Sequence, residues 1–192
     1  MSRYDDELWE LVPEERGPAP AHLLELARGL GEVERALDLG CGDGRLTAEL
    51  RAREVVGVDP SRVALERARR RAPAAELLHV EVDAPLPLSD ASFDLVLCVH
   101  VLDHVRDAQL LLSEARRVLR PGGRLAVATA AHGRLTGLDV LVRGFEGRFD
   151  PLSPHLRFLS RRSLSRLLDA LGFEVESIRR RAAELVAVAR RP

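Results

Sequence analysis

At 192 residues, with 46% of them hydrophobic and 31% charged, the chain has material for one domain with a substantial core and no room for a second full one. Its formal net charge of -1 excludes a general electrostatic pull toward nucleic acid. The start, Met1-Ser2-Arg3-Tyr4-Asp5-Asp6, lacks a basic, then apolar, signal pattern, and the apolar stretch 93–101 is too short to cross a bilayer, so a cytoplasmic protein with no membrane partner is expected.

After a polar start, Pro20 precedes a helical pattern over 21–30, in which Leu23, Leu24, Ala27 and Leu30 share one face. The centre then alternates: strand 36–39, helix 45–53, strand 55–58, helix 61–71 capped by Ser61, strand 77–82, strand 93–99, helix 105–119, strand 124–130. Pro121-Gly122-Gly123 is expected to stop the helix before the fifth strand. From 131 to 155 the pattern lapses into glycine, proline and isolated aromatics, longer than a connection needs, an insertion of the kind in which function often lives. Ser160 then caps a helix that Gly172 ends, and strands 173–178 and 184–189 follow as an antiparallel hairpin. One α/β domain over 1–192 is therefore expected, Rossmann-like, with a doubly wound and mostly parallel sheet. The runs Arg69-Arg70-Arg71 and Arg179-Arg180-Arg181 read as solvated element ends, and Cys41 and Cys98 as reduced thiols.

The chemistry is concentrated in Ala36-Leu37-Asp38-Leu39-Gly40-Cys41-Gly42-Asp43-Gly44, with the acid Asp59 fifteen residues beyond Gly44. A short buried strand leads into a glycine turn that brings main chain close to a ligand, and the carboxylate ending the next strand is suited to accept from both hydroxyls of a ribose. A dinucleotide site needs a third glycine where Arg45 stands, so an NAD-dependent oxidoreductase is the disfavoured alternative.

The turn instead resembles motif I of the class I S-adenosylmethionine (SAM) methyltransferases. The further blocks Val58-Asp59-Pro60-Ser61, Asp83-Ala84, Ser92-Phe93-Asp94-Leu95-Val96 and Glu114-x-x-Arg117-Val118-Leu119-Arg120-Pro121-Gly122-Gly123 are similar to the small-molecule enzymes of the methyltransferase-11 type. The resemblance implies seven strands, SAM as cofactor, a small-molecule methyl acceptor and a substrate lid over 131–158. It implies that Gly40, Cys41 and Gly42 admit the methionine end, that Asp38 helps hold its amino group, and that Val99 offers a carbonyl to the ammonium. Asp59 and Pro60 would flank the ribose, and Asp83 and Ala84 would meet the adenine. A protein that binds SAM without catalysis stays open as a further alternative.

The absence of an Asn/Asp-Pro-Pro-aromatic run after Cys98-Val99 disfavours nucleobase N-methylation. A hydroxyl acceptor needs a proton acceptor, for which His100 at the exit of the fourth strand and His155 beside the insertion are the candidates. The run His100-Val101-Leu102-Asp103-His104 is similar in position to the metal-assisting run of ubiquinone-pathway O-methyltransferases, but His100 replaces the first acidic ligand and no metal is assigned. Phe145, Phe149 and Phe158 are the candidate apolar wall of an acceptor pocket.

Overall fold

The computed structural model describes residues 2–132, 157 and 159–192. Helix α1 (Ser2–Leu11) and α2 (Ala21–Gly29) precede β1 (Val33–Leu39), β2 (Ala52–Asp59), α3 (Arg62–Arg71), β3 (Glu76–His79), β4 (Phe93–Val99), α4 (Ala108–Val118) and β5 (Leu119–Ala130). Helix α5 (Arg161–Ala170), β6 (Glu174–Arg181) and β7 (Glu184–Arg190) complete the described chain. The strands form one seven-stranded sheet in the order β3-β2-β1-β4-β5-β7-β6. The first five are parallel, and β7 runs antiparallel to both β5 and β6. Sequence order reverses between β1 and β4, and the carboxyl ends of strands at such a reversal leave a crevice.

Strand alternation divides the core. Leu37, Val96, Cys98, Leu125, Val127, Leu185 and Ala187 face α4 and α5, where Leu112, Ala115, Leu164 and Leu168 are buried. Their neighbours Ala36, Leu95, Leu97, Val99, Ala126 and Ala128 face α2, through Leu23 and Ala27. Each fully buried leucine contributes about 1.5–3 kcal/mol, so both faces are covered strongly enough to fix the register. The expected caps form: Ser61 Oγ accepts from the Ala64 N–H at 3.1 Å, and Ser160 and Ser163 make a reciprocal capping box.

Several strands run longer than the sequence-based expectation, and four further differences bear on the site. The helix expected over 45–53 is a 3-10 turn at Thr47–Glu49, because β2 starts at Ala52 and pairs with β1 from Val33 onward, leaving too few residues after Gly44 for a helix. Asp107 accepts from the Leu110 N–H at 2.9 Å, so α4 starts at Ala108 rather than at 105. Strand β3 ends at His79 rather than at 82, and 80–82 leave the sheet to line a cavity. Helix α4 gives way to β5 at Leu119, ahead of the proline and glycines. The polar start, expected to carry no element, is α1, which packs on α3. No helix among the described residues is long and apolar enough to cross a membrane.

Candidate active site

The carboxyl ends of β1, β2 and β4 open onto a cavity of about 730 Å³. It gathers Asp38, Gly40, Cys41, Gly42, Asp59, Pro60, Asp83, Ala84, Val99 and His100, all marked by the sequence, in one space. His155, the aromatics Phe145, Phe149 and Phe158, and most of the expected lid lie outside the described residues.

The glycine bend is built by backbone. Gly40 and Gly42 have φ of +79° and +54°, in the left-handed region where a Cβ is strained. A Cβ on Gly40 would stand 2.3 Å from Val101 Cγ2, and one on Gly42 2.8 Å from the Trp9 ring. The N–H groups of Gly40 and Cys41 both donate to the Val58 carbonyl, at 2.9 and 3.0 Å, which ties the bend to β2. Trp9 of α1 packs against Gly42 and lines the cavity, with Arg16 and Arg67 guanidinium groups 5.2 and 5.9 Å from its ring centre.

Asp59 is braced at both oxygens. Oδ2 accepts from the Gly42 N–H at 2.8 Å and Oδ1 from the Ser61 N–H at 2.9 Å. Each carboxylate oxygen retains a second lone pair for a ligand. Burial pushes the carboxyl up to about 6, against the two backbone donors. Asp38 is more deeply enclosed: Thr47 Oγ1 donates to its Oδ2 at 2.6 Å, and burial pushes it up to about 7. Burial also raises the thiols of Cys41 and Cys98, which are both free. Asp83, at φ +56°, accepts from the Asp107 N–H at 3.0 Å through Oδ1. Its Oδ2 is buried with no partner among the described residues, as is Asp5 Oδ2 from α1.

Arg45, which stands where a dinucleotide motif has its third glycine, lines the cavity and donates to the Gly17 carbonyl at 3.0 Å and to Asp43 Oδ1 at 3.3 Å. Asp43 also meets Arg16 at 2.9 Å and Arg71 at 2.8 Å. Burial alone would raise its carboxyl, but the three guanidinium groups, Arg16 foremost, hold it below the usual range. Arg71 is therefore not the solvated helix end that the run Arg69-Arg70-Arg71 suggests in sequence; it ties α3 to the bend. Only a three-residue 3-10 turn follows the bend, so the aligned amides and dipole that bind a pyrophosphate at a helix start are missing there.

Other motif residues serve as brackets around the cavity, which Leu86 and Glu114 also line. Asp94 accepts from the Arg35 N–H at 2.9 Å and from Arg120 at 2.8 Å. Glu114 accepts from the Leu86 N–H at 2.7 Å, and Arg117 joins Glu114, Asp90 and the carbonyls of Leu86 and Leu88. Together they hold the loop between β3 and β4 against α4. At the other end of the cavity, His100 has φ +56° and donates its N–H to the Ala128 carbonyl at 2.8 Å. Its Nε2 lies 3.0 Å from Glu184 Oε1, while His104 Nε2 lies 3.9 Å from Asp103 Oδ2. Among the described residues, no group of three or more His, Cys, Asp or Glu is arranged to hold a metal ion. The sequence missed Trp9, Asp5, Asp43 and Glu184; for Asp43 its place between two motif glycines was an available signal, and for the others there was none.

Residues 37–127 match the methyltransferase domain family Methyltransf_11. The chain is 38% identical over 146 residues to malonyl-[acyl-carrier protein] O-methyltransferase of Enterobacter lignolyticus, covering 73% of this chain and 55% of that protein. It is 37% identical over 131 residues to trans-aconitate 2-methyltransferase of Azoarcus, covering 66% of this chain and 51% of that one. The chain thus spans about half the length of the curated relatives it matches. In fold it is similar to a solved S-adenosylmethionine dependent methyltransferase from Mesorhizobium loti, with a TM-score of 0.66 and 23% identity over 88% of this chain and 98% of that one. With its glycine bend, braced acid and sheet order, the chain is similar over residues 37–127 to the methyltransferase-11 family of class I SAM-dependent methyltransferases.

Proposed function

We propose that this chain transfers a methyl group from SAM to a hydroxyl oxygen of a small molecule. One observation carries the reading: the cavity at the β1/β4 reversal is lined by the acids Asp5, Asp38, Asp59, Glu81 and Asp83, its lining arginines Arg16 and Arg45 are both paired to Asp43, and the bend lacks a phosphate-binding helix end. Such a lining suits a ligand bearing an ammonium and a sulfonium, and repels a pyrophosphate. When bound, SAM supplies a methyl carbon on a positive sulfur; the acceptor oxygen forms the new C–O bond as the S–C pair leaves with sulfur, and the acceptor's proton goes to a base.

The residues fit that cofactor. Asp59, with a lone pair free on each oxygen, accepts from the ribose hydroxyls beside Pro60. The unpartnered Asp83 Oδ2 supports acceptance from the adenine amino group, next to the Ala84 N–H. Gly40, Cys41 and Gly42 leave space for the amino acid end, and Asp38 and the Val99 carbonyl hold its ammonium. His100, which lines the same cavity, takes the acceptor's proton. The apolar side chains Val101, Val105, Leu110 and Leu111 line it too and exclude water from the reacting centre. The relatives' printed names, for a malonyl carrier and trans-aconitate, support an oxygen-rich acceptor.

Calorimetry with SAM and with S-adenosylhomocysteine tests the cofactor half. Binding of both is expected, weakened roughly tenfold to a hundredfold, about 1.4–2.8 kcal/mol, in Asp59→Asn, which keeps an oxygen for the Ser61 N–H. Unchanged affinity would remove Asp59 from the ribose site. Release of S-adenosylhomocysteine with a panel of hydroxylated small molecules tests the rest. Tight SAM binding with no turnover on any of them would make the chain a non-catalytic SAM-binding protein.

A further inference from the structure

Three elements far apart in sequence bring two histidines to one carboxylate. Glu184 opens β7, opposite Ala130 at the end of β5, and by alternation with Val186 and Val188 it points to the α2 face of the sheet. There its Oε2 meets His22 Nε2 of α2 at 2.8 Å, while its Oε1 lies 3.0 Å from Nε2 of His100. The Glu184 side chain is only 14% exposed, whereas the His100 ring is 42% exposed at the cavity mouth. A carboxylate only accepts, so it selects the tautomer with hydrogen on Nε2 in both rings and leaves the Nδ1 lone pair available. His100 is also held at φ +56°, a conformation uncommon for a residue with a side chain, by its N–H bond to Ala128.

We propose that Glu184 is a positioning residue that fixes His100 in the Nε2–H tautomer, so that Nδ1 receives the acceptor's proton, and that His22 holds the second oxygen of Glu184 in place. The tautomer is a property of the free protein. The use made of it rests on the methyltransferase reading above.

Two-bond proton–nitrogen correlation spectra of the full chain without ligand test it, with His100→Gln and His22→Gln assigning the signals. Wild-type neutral His100 is expected mainly as Nε2–H, with the population moving toward Nδ1–H by at least severalfold in Glu184→Gln and partly restored in Glu184→Asp. A wild-type ring that is mainly Nδ1–H, or one whose tautomer ratio is the same in Glu184→Gln, overturns the proposal. SAM calorimetry on the same samples separates the two readings. Affinity within about twofold of wild type in Glu184→Gln is expected, since Glu184 does not line the cavity. A tenfold loss there would make Glu184 a cofactor residue and overturn the positioning role, whereas failure of the wild type to bind SAM would overturn the methyltransferase reading and leave the tautomer result standing.

Discussion

The two ends of the cavity are built on different principles. Around the glycine bend, ligand-facing geometry is set by main chain: two left-handed glycines, two N–H groups on one carbonyl, and Asp59 held by two more amides. Around the exit of β4 it is set by side chains from separate elements, with His100, His22 and Glu184 meeting only through the fold. Main-chain geometry tolerates no added atom, while a side-chain cluster can be altered one group at a time. The cofactor end is thereby rigid, and the acceptor end is free to be re-specified on the same scaffold.

The largest expected effect tests that contrast directly. Gly40→Ala combines φ +79° with a Cβ placed 2.3 Å from Val101 Cγ2, a β-branched neighbour with little room to rotate. Strain of about 1–2 kcal/mol and overpacking of about 1–3 kcal/mol add to a loss of roughly 2–5 kcal/mol in urea unfolding at unchanged slope. His22→Ala, which removes a partly exposed ring at the other end, is expected to cost under about 1 kcal/mol. Equal losses in the two variants would end the distinction between the two regions.

Acid burial gives the next effect, and it has a sign. Asp38 sits at about 7 in the folded protein against an ordinary 3.8, because burial disfavours its charge. The folded state therefore holds a proton that the unfolded chain has released, and stability contributed at low pH is lost as pH rises from about 4 to 7. Asp59, at about 6, adds to the fall over a lower part of that window. Asp43 acts oppositely: its carboxyl is depressed, so its contribution is present at neutral pH and lost on acidification. Asp38→Asn should raise ligand-free stability at pH 8 by about 1–3 kcal/mol, since each pH unit between the folded and unfolded titrations is worth about 1.36 kcal/mol, discounted for relaxation, and the gain should vanish near pH 4. The same variant should bind SAM more weakly and without the wild type's loss of affinity below pH 7, since a cation favours the ionised carboxylate. Calorimetric and melting profiles from pH 4 to 8 check both, and a variant that is destabilised at pH 8 contradicts the burial argument.

The same contrast explains what was legible in the sequence. Gly40, Gly42 and Asp59 could be read because main-chain demands leave a local signature: a glycine wherever a Cβ is forbidden, and an acid at a fixed distance along the next strand. The succession of the parallel strands along the chain was readable from apolar runs that must be buried on both faces. The helix expected over 45–53 was not, because local propensity was overruled by how early β2 must begin to pair with β1. Helix α1 gave no warning, since its half-buried Leu8 and Trp9 sit among charges and find partners only on α3 and the bend. Glu184 was invisible for a similar reason, lying 162 residues from His22. Nothing in a run of sequence marks a contact that exists only once three elements are in place.

Trp9 and Gly42 offer the finest test of how tightly the bend is enclosed. A Cβ on Gly42 would lie 2.8 Å from Trp9 Cζ2, and the residue also has φ +54°. Gly42→Ala in the wild type thus meets two penalties, backbone strain and the indole. In a Trp9→Ala background the second is gone, and only the strain of about 1–2 kcal/mol should remain. The double-mutant cycle should therefore show a favourable coupling of about 1 kcal/mol, within the range found for residues in contact. Strict additivity would mean that α1 does not rest on the bend in solution. Because Trp9 is the single tryptophan of the chain, its fluorescence reports the outcome independently: SAM entering the cavity beside Gly42 should change the wild-type emission, and an emission unaffected by saturating SAM would place the ligand away from the bend that α1 covers.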